Sequence, residues 1–140
     1  MQENMLSEKD KKTRYKIAAD TRAMIAKALC IEDQDESSLM MIYEGYYLQI
    51  SFTQVHPLIV IYFAKAVEQP ITQEKIQAVN ELNNKGVLGG HALNKRLGCY
   101  SYRATNWLDH ELTKERFFEI LNRCLEDANH GYRIINPTTA

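Results

Sequence analysis

The stretch from Met41 to Lys65 constrains the fold most, because its apolar residues first alternate and then become continuous. In "MIYEGYYLQISFT", every second residue from Tyr46 to Phe52 is apolar, which is typical of a strand with one buried face. The turn "QVHP" follows, and its Pro57 suits only the first residue of a strand or an edge. The next run, Leu58–Lys65, is apolar on both faces, as in a central strand or one whose second face meets a partner. Together these features predict a β-hairpin.

A helix is predicted before this hairpin. Ser7 can cap it, and acidic residues follow in the first turn, where they favour the positive end of a helix. Apolar residues then recur with helical spacing, so the helix should run from about Glu8 to Leu29. The acidic segment Glu32–Glu36 is expected to be a solvated loop.

Two further helices have closely similar beginnings. In "ITQEKIQAVNELNNKG", Thr72 is the predicted N-cap, and Gly86 should end the helix in a left-handed conformation. In "LTKERFFEILNRCLEDANHG", Thr113 takes the capping position and Gly131 should stop the helix. The similarity covers only the capped beginning of each helix, so it does not indicate an internal duplication.

Between these helices, Val87–Lys95 and Cys99–Trp107 are short segments bounded by turn residues, and they predict a second hairpin. The second segment alternates, with Tyr100, Tyr102 and Ala104 on one face. The resulting order, α-β-β-α-β-β-α, predicts a single α+β domain over residues 1–140. We expect a four-stranded antiparallel sheet with three helices on one face, and frayed ends at residues 1–6 and 137–140.

The charge and the cysteines narrow the class of protein. The formal net charge is −1 and the pI is near 6.4, which argues against a nucleic-acid binder that relies on overall positive charge. There is no apolar segment of membrane-spanning length and no signal-peptide pattern, so we expect neither a membrane partner nor secretion. The 3 cysteines form no CxxC pair, which favours reduced thiols in the cytoplasm.

No pattern in the sequence predicts a catalytic site, a metal site or a cofactor. Each candidate has a simpler structural interpretation, because the spacing that the chemistry needs is missing. The candidates are the glycines of Lys85–His91 for phosphate, His56, His91, His110 and His130 for metal, His91 with Cys99 for metal across the second hairpin, Cys99 and Cys124 as nucleophiles, and the acid–base cluster Asp109, His110 and Glu111.

The aromatic residues suggest a contact surface instead. The chain has 8 tyrosines, many of them on predicted strands, and tyrosine suits interfaces because it combines an apolar ring with a polar tip. The apolar strand surface exceeds what three helices should cover, so we expect a second polypeptide to cover the remainder, first of all in a homodimer. The predicted contact residues are Tyr47, Ile59, Ile61, Phe63, Tyr100, Tyr102 and Trp107.

Two alternatives stay open at this stage. One is a small-molecule-binding protein or an enzyme, with a site between sheet and helices lined by His91, Tyr102 and Arg103. The other is a sheet that stacks RNA bases on its rings, although the basic sheet surface such a protein needs is absent from the pattern.

The layout also resembles a known family. The helix end "VNELNNKG" before a strand and the last helix, "LTKERFFEILNRCLEDANHGY", resemble those of the bacterial YbjN-like proteins, and the layout is similar to the type III secretion chaperone-like fold. The resemblance covers nearly the whole chain. It implies a small cytoplasmic homodimer that binds other proteins or peptide segments, without catalytic residues or a cofactor.

Overall fold

The computed structural model describes residues 7–53 and 57–137. This part of the chain forms three helices and six strands. They are α1 (Glu8–Ala28), β1 (Asp33–Gln34), β2 (Ser38–Tyr43), β3 (Tyr46–Thr53), β4 (Leu58–Ala66), α2 (Gln73–Lys85), β5 (Gly90–Asn94), β6 (Cys99–Trp107) and α3 (Lys114–Ile135). The strands form one antiparallel sheet in the spatial order β1-β2-β3-β4-β6-β5. The predicted α+β class with three helices is confirmed.

The sheet has six strands, so the prediction of four was wrong. The segment predicted as one long strand is a hairpin, β2 and β3, joined by the two-residue turn Glu44–Gly45. Both turn residues have positive φ, 50° and 85°, which matches the right-handed twist of the flanking strands. The acidic segment also contributes a strand, because Asp33 and Gln34 pair with Met40 and Leu39.

The core lies between the helices and one face of the sheet. One row of register neighbours crosses five strands as Met41, Leu48, Phe63, Tyr102 and His91, and all five side chains are buried. The alternation predicted for Tyr46–Phe52 is confirmed, since the even-numbered residues are buried and the odd-numbered ones are not. From the helices, the largest fully buried side chains are Ile25, Phe117 and Leu121.

The predicted helix beginnings are confirmed, while the predicted ending at Gly86 is wrong in its conformation and the one at Gly131 in its position. Ser7, Thr72 and Thr113 each accept a hydrogen bond from a backbone N–H three residues ahead, at 3.1, 3.3 and 3.2 Å. Gly86 follows α2 as predicted, but its backbone is extended, with φ −71° and ψ 144°, rather than left-handed.

Gly131 does not stop α3, which continues to Ile135. A Cβ built on Gly131 would lie 2.5 Å from His91 Nδ1 and 2.6 Å from Tyr100 Oη. The glycine is therefore explained by the close approach of the helix to the sheet rather than by a helix end.

Side chains bond to exposed backbone groups at both edges of the sheet. Asn83 of α2 donates its Nδ2 to the carbonyl of His91 and accepts from the His91 N–H, both at 2.8 Å. At the opposite edge, the carboxylate of Glu32 accepts from the N–H of Ile42 at 2.7 Å. The N–H and C=O of His91 and the N–H of Ile42 are thus satisfied without a further strand.

Some predictions lie outside the described residues. They are the turn at residues 54–56, which includes His56, and the frayed ends at residues 1–6 and 138–140. Within the described ranges, none of the helices combines the length and the apolar character needed to span a membrane.

Candidate binding face

The two faces of the sheet differ in what covers them. The helices cover the face that carries the core, and the alternate residues of each strand point to the other side, here called the open face. Across this face, Ile42, Tyr47, Ala64 and Ser101 are register neighbours in successive strands. Ile42 is 63% exposed, Tyr47 is 37% exposed and Trp107, at the end of β6, is 67% exposed. Large apolar side chains are therefore accessible on this side of the sheet.

The open face carries no charged side chain along its β2, β3 and β4 strands. Its residues there are Ser38, Met40, Ile42, Tyr47, Gln49, Ser51, Thr53, Leu58, Val60, Tyr62, Ala64 and Ala66, of which Ser38 and Val60 are buried. On β6 the face adds Arg103, which is exposed. Charged residues are scarce in the cores of protein interfaces, so a large uncharged surface of this kind suits such a core.

Polar groups near the centre of the open face are bonded to one another. The Tyr47 hydroxyl donates to Gln49 Oε1 at 2.7 Å, and Gln49 Nε2 donates to the hydroxyls of Ser38 and Ser51, each at 3.3 Å. The rings of Tyr47 and Tyr62 pack edge to face with centroids 6.5 Å apart. Because these polar groups bond to one another, each keeps a hydrogen-bond partner when an apolar surface covers them.

The predicted contact residues lie on both faces. Tyr47 and Trp107 are on the open face, where they stay predicted contact residues. The others are buried beneath the helices and belong to the core, because they occupy the alternate positions of β4 and β6. They are Ile59, Ile61, Phe63, Tyr100 and Tyr102.

The prediction could not separate the two faces of β4, because this strand is apolar on both. The structure agrees with that pattern: β4 is an inner strand between β3 and β6, and Leu58, Val60 and Tyr62 face away from the helices. Sequence reasoning overlooked Ile42 and Tyr62 as open-face residues. The alternation along each strand, once anchored on Tyr47, would have placed them there.

The alternative small-molecule site does not form as predicted. His91 and Tyr102 are buried on the core face, whereas Arg103 is exposed on the opposite face of the sheet. Adjacent residues of a strand point to opposite faces, so the three side chains cannot line one pocket. For the same reason His91 and Cys99 do not face each other, since Cys99 lies opposite Asn94 in the hairpin.

The other candidate clusters have structural roles where the structure describes them. In residues 7–53 and 57–137, His, Cys, Asp and Glu side chains do not gather into a group of three that could hold a metal ion. Asp109 accepts a hydrogen bond from the N–H of Glu111 at 2.9 Å, which makes the predicted polar loop before the capped α3. Cys124 is buried, and burial raises the pKa of its thiol to about 12, so the thiolate needed of a nucleophile is disfavoured.

His91 instead belongs to a buried polar cluster that the sequence did not reveal. Its Nδ1 lies 2.6 Å from the Tyr100 hydroxyl and its Nε2 lies 3.7 Å from Asp127 Oδ1. The Tyr102 hydroxyl donates to Asp127 Oδ2 at 2.8 Å. Burial lowers the pKa of His91 and raises those of Tyr100 and Tyr102, which favours the neutral form of all three.

Comparisons with known proteins find structures with a similar fold but no relative by sequence. Neither a protein-family profile nor a curated protein matches this chain by sequence. Among solved structures, a chain of the ExsC–ExsE complex is similar with a TM-score of 0.67 and 14% identity, covering 96% of this chain and 100% of that one. YbjN from E. coli has a TM-score of 0.63 and 11% identity, covering 81% of this chain and 87% of its own.

The structure of the Yersinia pestis type III secretion chaperone SycH, in complex with a stable fragment of YscM2, contains a third similar chain. Its TM-score is 0.58 at 8% identity, and the match covers 81% of this chain and 98% of the other. The resemblance to YbjN and to the secretion chaperones, predicted from the sequence, is therefore confirmed at the level of the fold.

Proposed function

We propose that this chain is a non-enzymatic, chaperone-like module that acts in the cytoplasm as a homodimer and binds segments of a partner protein. The observation that carries the proposal is the open face, an uncharged surface over β2, β3 and β4 on whose side Ile42, Tyr47 and Trp107 are exposed. A surface of this kind loses unfavourable contact with water when another polypeptide covers it.

The similar structures support a partner that is itself a polypeptide. In the two complexes described above, ExsC is found with ExsE, and SycH with a fragment of YscM2. The positions on this chain that would carry such binding are Tyr47 and Trp107, joined by Ile42 and Tyr62. Aromatic side chains of this type supply most of the affinity in many interfaces, because they bury a large area at low cost in conformational entropy.

Site-specific photocrosslinking tests the partner-binding part of the proposal. A benzophenone amino acid would replace Trp107, Tyr47 or, as the control, Asn122, which is exposed on α3. In the native cells we expect discrete crosslinked products from the first two positions and few from the third. Equal yields at all three positions, or none at Trp107, would contradict binding at the open face.

The homodimer requires a separate measurement. Native mass spectrometry of the purified full chain over a range of micromolar concentrations should show a dimer. A Trp107→Ser and Ile42→Ser double variant should keep its folded circular dichroism spectrum and shift toward monomer if the open face joins the two copies. A wild-type chain that stays monomeric at all these concentrations would contradict the homodimer. Partner binding would then be decided by the crosslinking result alone.

A further inference from the structure

The buried cluster around His91 connects four elements of the fold. His91 is in the edge strand β5, its ring contacts Tyr100 of β6 and approaches Asp127 of α3, and its backbone is held by Asn83 of α2. His91 is 5% exposed, and Tyr100 and Tyr102 are fully buried. A change in the charge of this one ring therefore acts where β5, α2 and α3 meet.

The contacts suit a neutral imidazole. With its proton on Nε2, the ring accepts the Tyr100 O–H at Nδ1 and directs its N–H toward Asp127. A second proton on Nδ1 would turn this acceptor into a donor, so the Tyr100 hydroxyl would have to accept instead and turn its own proton toward another acceptor. Gly131 lies so close to both groups that even a Cβ would not fit there, so little space remains for rearrangement.

We propose that His91 is a pH-sensitive latch, which holds β5 against α2 and α3 when its ring is neutral and releases them when its ring is protonated. Release would also break the two hydrogen bonds between the Asn83 side chain and the backbone of His91. The N–H and C=O of His91 would then be available at the edge of the sheet. The latch concerns the opening of one edge, so it stands or fails independently of the function proposed for the open face.

The surroundings of His91 also favour its neutral form, as the contacts do. Burial lowers the pKa of His91 below its ordinary 6.5, the Asp127 carboxylate of α3 raises it, and His130 of α3 lowers it. From β6 the ring meets the hydroxyls of Tyr100 and Tyr102, whose raised pKa values keep them neutral, and from α2 the neutral amide of Asn83. Burial thus outweighs the one nearby anion.

The lowered pKa of His91 sets the direction of the pH dependence. Because the pKa is lower in the folded chain, the contribution of His91 to local stability is complete above about pH 6.5 and is lost as the pH falls from there to the folded-state pKa. Within that window, protection of the β5 amides against opening should fall by up to about tenfold per pH unit.

Hydrogen exchange of the full chain, followed by NMR between pH 7.5 and 5, tests the latch. After correction for intrinsic exchange, the amides of β5 and the end of α2 should lose protection on acidification, while those of inner strands β3 and β4 should not. His91→Gln should remove this pH dependence, and His110→Gln, at an exposed histidine, should retain it. Retention of the acid effect in His91→Gln would overturn the proposal.

If His91→Gln does not fold, titration of the His91 ring in the wild-type chain tests the latch instead. The His91 ring should titrate below 6.5, and Asp127→Asn, which removes the anion, should lower that pKa and extend the loss of protection to a correspondingly lower pH. A His91 pKa at or above 6.5, or a loss of protection that does not follow it, would contradict the latch.

Discussion

The two long helices are alike in length and in their caps but differ in how the fold holds them. α1 has 21 residues and α3 has 22, and each begins at a hydroxyl cap. α1 buries only Thr21 and Ile25. The buried residues of α3 run along its whole length and are Phe117, Leu121, Cys124, Ala128, Gly131 and Ile135.

Polar contacts compensate in part for the narrow apolar stripe of α1. The Arg22 guanidinium donates to the carbonyls of Glu36 at 2.9 Å and Asp35 at 2.5 Å, and to the Gln34 side chain at 3.1 Å. These acceptors belong to the acidic segment around β1 and are exposed. The comparison teaches that equal caps and equal length do not give equal attachment, which depends on how wide the buried stripe is.

The largest effect is expected from Phe117→Ala in α3. Phe117 is fully buried, so its loss should lower the free energy of unfolding by about 3–5 kcal/mol, from lost burial and the cavity left behind. Tyr15→Ala in α1 is the matched aromatic control, and since Tyr15 is 64% exposed it should change stability by less than about 0.5 kcal/mol. Urea unfolding measures both, and equal losses would show that α1 is as firmly packed as α3.

An intermediate effect is expected from Gly131→Ala. The added methyl would meet His91 and Tyr100, and overpacking of about 1–3 kcal/mol should exceed the gain of about 1 kcal/mol in helix propensity. Asn122→Ala on the exposed side of α3 serves as the control and should be neutral or slightly stabilising. A more stable Gly131→Ala protein would mean that α3 lies farther from the sheet than described.

The smallest effect is expected from Arg22→Ala. The acceptors of its three shortest hydrogen bonds are exposed and regain water, so the loss should be about 1 kcal/mol. It should appear as faster hydrogen exchange in α1 and around β1, with α3 unchanged, because α1 opens locally. Lys27→Ala, at an exposed residue of the same helix, is the control. Equal loss of protection in α3 would show that the two helices unfold as one unit.

Patterns that depend on neighbours in sequence could be predicted. The alternation of β3 and β6 and the caps at Thr72 and Thr113 are local features, and the structure agrees with them. The turn Glu44–Gly45 was missed because glutamate rarely adopts positive φ, so the hairpin lacked the usual Asn-Gly or Asp-Gly signature.

Features that depend on distant residues could not be predicted. Whether Ile61 or Tyr62 faces the helices is undecided in a strand that is apolar on both sides, so the open face was only partly identified. The His91 cluster joins β5 to Asp127 on α3, and nothing in the sequence relates those positions. The sequence alone predicts a helix end at Gly131, because it does not show what packs against this residue.

At each border of the β-layer, a side chain bonds to one backbone position. The amide of Asn83 bonds to one border and the carboxylate of Glu32 to the other. A strand that arrives from outside must first displace these groups, so stacking of molecules into fibres is disfavoured. At neutral pH, crowded molecules of this protein should therefore resist edge-to-edge stacking into fibres, even though each displays a broad uncharged sheet face.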